Sequence, residues 1–177
     1  NQKQFDKATE CYDQVAQDQK NTLRDQALYW MGNSQREAKN PEAALNAYRE
    51  LIRSYPQSSY LARAQLRLGD VLYEQKKYTE AIEAYRKAQA LKPSEELAKQ
   101  AEEGIDLAVS QQASAGGAEA EKMAEELKGE AAARAWVQIG TNYYQQKTYD
   151  KATQMFEKAL ASAPRGSESE ERGLYGL

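Results

Sequence analysis

Histidine is absent from the 177 residues, and cysteine occurs once, as Cys11. Without histidine the chain lacks the commonest general base and metal ligand. A single thiol excludes an internal disulfide framework and a two-cysteine zinc grip. Cys11 shares a helical stripe with Ala8, Tyr12 and Val15, which reads as a semi-buried small side chain; no histidine or basic cluster stands near to make it a reactive thiolate. Glycine and proline are scarce, ten and four, against abundant Ala, Gln, Glu, Lys and Leu. Intrinsic propensity therefore favours helices, and nothing reads as a strand. No stretch approaches the roughly 20 apolar residues that span a bilayer, which argues against direct membrane insertion. Nor is there a phosphate loop: Gly116-Gly117 has neither a flanking strand nor a following Lys-Ser/Thr.

Charge narrows the choice further. The formal charge of -3 and pI near 5.3 leave no basic face for nucleic acid. Glu102-Glu103, Glu125-Glu126 and the acidic run from Glu168 to Glu171 read as solvated outer helix faces. The expectation is a non-enzymatic chain with no catalytic residue, no cofactor and no metal. A mean hydropathy of -0.91 suits a fold in which each helix buries only a narrow stripe. The opening Asn1-Gln2-Lys3-Gln4 carries neither an initiator Met nor a signal peptide, so a fragment of a longer protein is expected.

What the sequence does contain is repetition. Gly32, Gly69 and Gly140 are each followed twelve residues on by Ala44, Ala81 and Ala152, and four further on by Tyr48, Tyr85 and Phe156. Leu51, Ala88 and Ala159 come next, then Pro56, Pro93 and Pro164; an apolar Met31, Leu68 or Ile139 precedes each glycine. On physical grounds the glycines sit where the two helices of one hairpin touch, with the alanines as matching small residues. The rings fill the space between one hairpin and the next, and the prolines stop the second helices.

This pattern resembles the tetratricopeptide repeat. The last copy is nearly complete, with Trp136, Ile139, Gly140, Tyr143, Tyr149, Ala152, Phe156, Ala159 and Pro164. The resemblance implies an all-α, TPR-like α-solenoid of antiparallel helix hairpins wound into a right-handed superhelix. A single array over 1–177 is expected, with a partial repeat at 1–20, repeats at about 22–56 and 59–93, a degenerate one at 94–128, another at 130–164, and a partial helix at 168–177. Phe5, Ala8, Tyr12 and Val15 match a second helix whose first helix is missing. In the degenerate copy Ser94 is the expected N-cap and Gly104 takes the glycine role. There the turn expands into a flexible loop over Gln112 to Gly117, and Gly129 stops the following helix, with Ala120, Ala124 and Leu127 inward. The predicted helices are 4–18, 22–38, 41–55, 59–76, 78–91, 94–111, 118–128, 130–146, 149–162 and one from 168, with Asn40 an N-cap before Pro41.

Such arrays bind partners on a concave wall lined by first helices, so the resemblance implies a scaffold for a peptide or partner protein. Counting from the glycines, the candidate partner-binding residues are Tyr29, Asn33 and Arg36; Arg63, Asp70 and Tyr73; and Arg134, Thr141 and Tyr144. Gln26, Leu66 and Val137 lie at equivalent places. Aromatics with arginine are typical interface anchors, although the tyrosines equally suit packing between first helices. The family's two-carboxylate clamp is not expected: Asn33 has Tyr29 where Lys would stand, and Arg67 replaces an Asn. From Ala27 to Leu91 the chain also resembles bacterial cell-envelope TPR proteins of the Tol–Pal and outer-membrane-assembly type. The shared features are a Tyr55-Pro56-Gln57-Ser58 linker and a 37-residue spacing from Gly32 to Gly69, which implies a lengthened first helix. A periplasmic or envelope location follows as an expectation, with the cytoplasm as its alternative. The alternative function is a self-assembling module that stacks through open array ends.

Overall fold

Ten α-helices and no strand occur among the described residues. The computed structural model describes residues 2–18 and 21–177, with side chains from Lys7 onwards, so the side chain of Phe5 lies outside them. The helices are α1 (Gln2–Gln17), α2 (Arg24–Glu37), α3 (Pro41–Ser54), α4 (Leu61–Glu74), α5 (Tyr78–Ala90), α6 (Glu95–Ala115), α7 (Gly117–Glu126), α8 (Gly129–Gln145), α9 (Tyr149–Ser162) and α10 (Glu168–Gly176). The chain divides into two compact units, Asn1–Ile105 and Asp106–Leu177, with the boundary inside α6.

In both units the hairpins share one turn chemistry. Lys39, Lys76 and Lys147 adopt left-handed φ values of 59°, 61° and 61° after α2, α4 and α8. The next amide reaches five residues back: Asn40 N–H to the Gln35 carbonyl, Lys77 to Leu72 and Thr148 to Tyr143, at 2.9–3.0 Å. This is a Schellman stop, which satisfies the last carbonyls and reverses the chain in two residues. Asn40 therefore closes α2 and opens α3 at once. Its side chain makes no cap bond, contrary to the N-cap expectation, while Pro41 does occupy the first helical turn.

Packing centres on rings set against glycines. A Cβ on Gly69 would lie 2.6 Å from the Tyr85 ring, and one on Gly140 would lie 2.9 Å from Phe156; Gly32 faces Tyr48 in the same way. The glycines thus make room for the ring of their own hairpin. This adds a contact within the hairpin to the expected filling of space between hairpins. Tyr85 and Phe156 do both, since Gly104 meets Tyr85 and Gly176 meets Phe156 from the next first helix. Ala44, Ala81 and Ala152 are buried alongside.

Four local expectations are corrected. Helix α6 runs to Ala115 instead of opening into a loop at Gln112. Ala113 is buried, the Ser114 hydroxyl donates to the Ser110 carbonyl, and Asn142 Nδ2 donates to the carbonyls of Ala113 and Ser114 at 2.8 and 3.0 Å. Gly116 and Gly117, at φ 69° and 81°, make the break. Gly129 begins α8, and α7 stops because Leu127 and Lys128 are extended. Helix α4 is no longer than α2 or α3. The extra residues of the 37-residue spacing enter the linker after Pro56, where Ser58 Oγ donates to Asp25. Cys11 is exposed, because it falls at the edge of the stripe that half-buries Ala8, Tyr12 and Val15.

Candidate functional site

A buried phenol needs a hydrogen-bond partner, and in the N-terminal unit the residue after each glycine supplies it. Tyr48 Oη donates to Asn33 Oδ1 at 2.7 Å, and Tyr85 Oη donates to Asp70 Oδ1 at 3.1 Å. The other Asp70 oxygen receives Arg67 Nη1 at 2.8 Å and Arg36 Nη1 at 3.4 Å, while Arg36 Nε also faces Glu74 at 3.5 Å. Burial raises both phenols well above their ordinary value; the nearby Arg36 pulls Tyr48 partly back, whereas Asp70 pushes Tyr85 further up. Burial opposes the Arg67 charge, but hydrogen bonds to Asp70 and Tyr29 outweigh it and raise that group. Asn33, Arg36 and Asp70 are thus brought together, largely to serve the fold.

Tyr29 is withdrawn from the surface. It is 6% exposed, with ring centroids of Tyr60, Trp30 and Tyr48 at 5.1, 5.2 and 6.3 Å. Its place against the linker residue Tyr60 corrects its reading as a groove side chain, and Leu66 is buried likewise. Tyr73 is half-buried against Tyr78 at 5.5 Å. Arg63 differs from all of these: it is exposed, rests over the Tyr60 ring at 5.9 Å, and forms no ion pair among the described residues.

In the C-terminal unit Phe156 has no hydroxyl, and the residue after the glycine changes to match. Thr141 turns back and donates to the Val137 carbonyl at 2.8 Å. Tyr144, 59% exposed, lies edge-on to Tyr149 at 5.5 Å. Arg134 Nη1 pairs with Asp106 at 3.1 Å, and its Nε is 3.8 Å from Glu130. Asp106 and Arg134 border a cavity of about 170 Å³ between α6, α8 and α10, walled by Val109, Ala131 and Val137 and edged by Ser110, Gln138, Ser169 and Arg172. Trp136 is buried beneath Lys158, whose Nζ lies 4.3 Å from the ring centroid.

Sequence reading missed Arg67, Glu74, Glu130 and Ser169. A signal for part of this was present: Asn or Asp follows the glycine where the ring is Tyr, and Thr follows it where the ring is Phe. Nothing local points to Ser169, whose hydroxyl reaches Glu130 across 39 residues of chain at 2.5 Å.

Two family models, both described as tetratricopeptide repeat, match the chain, one at residues 1–59 and 31–96 and the other at 133–165. No curated protein matches it. Among solved structures, one described as "Crystal structure of MamA" aligns with a TM-score of 0.53 at 23% identity, covering 97% of this chain and 91% of that one. Another, "Crystal structure of MamA protein", gives 0.54 at 23%, covering 98% and 87%. These likenesses show the fold, an all-α TPR-like solenoid of helical hairpins. Since one family model alone spans more than half of the residues, the chain belongs to the tetratricopeptide repeat family.

Proposed function

We propose that this chain holds a peptide or partner protein along the first-helix faces of its hairpins and catalyses nothing itself. Tetratricopeptide repeats serve generally as protein–protein interaction scaffolds, and such families are generally non-enzymatic. The observation that carries the finer reading is what remains after internal demands are met. Asn33, Asp70 and Thr141 are spent on the fold, whereas Arg63 and Tyr144 stay exposed on first helices with no side-chain hydrogen bond or ion pair of their own among the described residues.

The test compares Arg63→Glu and Tyr144→Ala with Arg49→Glu, a change at an exposed arginine on the second helix α3. With a partner captured by the full-length protein, the first two variants weaken binding by about tenfold or more, equivalent to roughly 1.4 kcal/mol. The third does not, and thermal stability is unchanged in all three. A partner indifferent to both first-helix changes overturns the reading.

One observation favours the second reading, self-association. Helix α10 leaves Leu174, Tyr175 and Leu177 exposed, Tyr175 at 92%. Light scattering over a concentration series that finds a strict monomer removes it. An envelope location is supported only by the Tyr55-Pro56 linker, and fractionation of cells expressing this protein tests it: a purely cytoplasmic signal rejects it.

A further inference from the structure

In the C-terminal unit a lysine bridges two second helices over the first helix between them. Lys158 of α9 lies over the Trp136 ring of α8 at 4.3 Å and reaches Glu125 of α7 at 3.3 Å. The N-terminal unit has the same places but different residues. Glu50 follows Gly32 by eighteen residues, as Lys158 follows Gly140, and Leu28 precedes Gly32 by four, as Trp136 precedes Gly140. Asp13, on α1, takes the part of Glu125. Two carboxylates therefore edge an open groove of about 460 Å³ between α1, α2 and α3, with Leu28, Met31 and Ala47 in its wall.

Arg24 is the one cation among the described residues that line this groove. It is engaged at one end, where Nε donates to the Ala16 carbonyl at 2.8 Å and the guanidinium lies 5.7 Å from the Tyr55 ring centroid. Glu50 is met by Arg53, but that arginine is 79% exposed and screens it weakly. Asp13 meets no cation among the described residues; a neutral amide, Gln17 Nε2, donates to it at 2.6 Å. The ionisable lining is thus net negative, beside an apolar wall in which Leu28 and Ala47 are buried.

We propose that this groove receives a lysine side chain from a partner segment other than the one held on the first-helix faces. The occupant takes the place that Lys158 fills in the C-terminal unit. Its methylene stem rests on Leu28 and Met31, and its ammonium donates to Asp13 with Glu50 beside it. The groove also has room for an apolar neighbour of that lysine, so the partner offers a basic residue next to an apolar one. An acidic side chain would meet two carboxylates. An apolar one alone would desolvate Asp13 without supplying a counter-charge.

The test follows the anisotropy of three fluorescein-labelled eleven-residue peptides as the full chain is added. Each carries two Leu-Lys, Leu-Glu or Leu-Gln pairs on a common Ala and Ser background. The Lys peptide binds about tenfold or more tighter than the other two, and Asp13→Asn weakens it by about tenfold, the loss of one charge-assisted hydrogen bond. Glu50→Lys lets the chain close its own groove as Lys158 does, so Lys-peptide binding is lost. Glu83→Lys makes the same change of charge at an exposed site on α5 and leaves binding within about twofold of wild type. Circular dichroism confirms that the variants remain folded. Equal losses in Glu50→Lys and Glu83→Lys mean attraction to bulk charge alone and overturn the proposal. Wild-type affinity in Asp13→Asn, equal binding of all three peptides, or no binding of the Lys peptide overturns it too. Such a failure leaves the first-helix reading standing, because Arg63 and Tyr144 do not line the groove.

Discussion

Gly69 shows how a residue with no side chain holds a hairpin in shape. Alanine in its place would ordinarily stabilise a helix interior by about 0.5–1 kcal/mol. Here the added Cβ meets the Tyr85 ring, at 2.6 Å from Cε1 and 2.7 Å from Cδ1, and that ring is also held by Gly104. Gly69→Ala is therefore destabilising, by about 1 kcal/mol or more, because overpacking outweighs propensity. Tyr85→Ala costs about 3 kcal/mol, as a large core truncation. Urea denaturation measures both, and a stabilised Gly69→Ala contradicts the wedge. The buried phenols add a pH signature. Their folded values lie above the unfolded value of 10.0, so the stability they contribute is complete below pH 10 and is lost as the pH rises beyond it. Tyr85→Phe accordingly costs about 1 kcal/mol near pH 8. That gap shrinks by roughly 1 kcal/mol near pH 11, which denaturation at the two pH values reads directly. A gap that stays constant contradicts the linkage.

At the scale of elements, the turns carry a strain that the sequence reading did not register. Lysine in the left-handed region is a place where glycine is at ease. Lys76→Gly should raise stability by about 0.5 kcal/mol or more in chemical denaturation, since it makes no side-chain bond among the described residues. A loss would mean that the lysine stem is doing unseen packing. Helices and hairpins were legible because glycine, ring and proline recur at fixed offsets along the chain. Helix α6 was not, because Ser114 and the Gly116-Gly117 pair made the stretch read as loop, while the partner that holds Ala113 and Ser114, Asn142, lies 28–29 residues away. The lengthened first helix failed for a related reason: spacing counts residues but does not say whether linker or helix takes them.

At the scale of the whole molecule, position counting put the candidate residues on first helices but could not separate those that face outward from those recruited inward. Tyr29 went to the linker tyrosine, and Asn33 and Asp70 went to the phenols; Arg63 and Tyr144 stayed exposed. Cross-repeat bonds such as Arg36 to Asp70 depend on rotamers that repeat spacing does not encode. The scaffold account is tested most directly by hydrogen–deuterium exchange of the full-length protein with and without a captured partner. It predicts new protection in α2, α4 and α8, with α3, α5 and α9 unchanged on their outer faces. Protection confined to those second helices would contradict it.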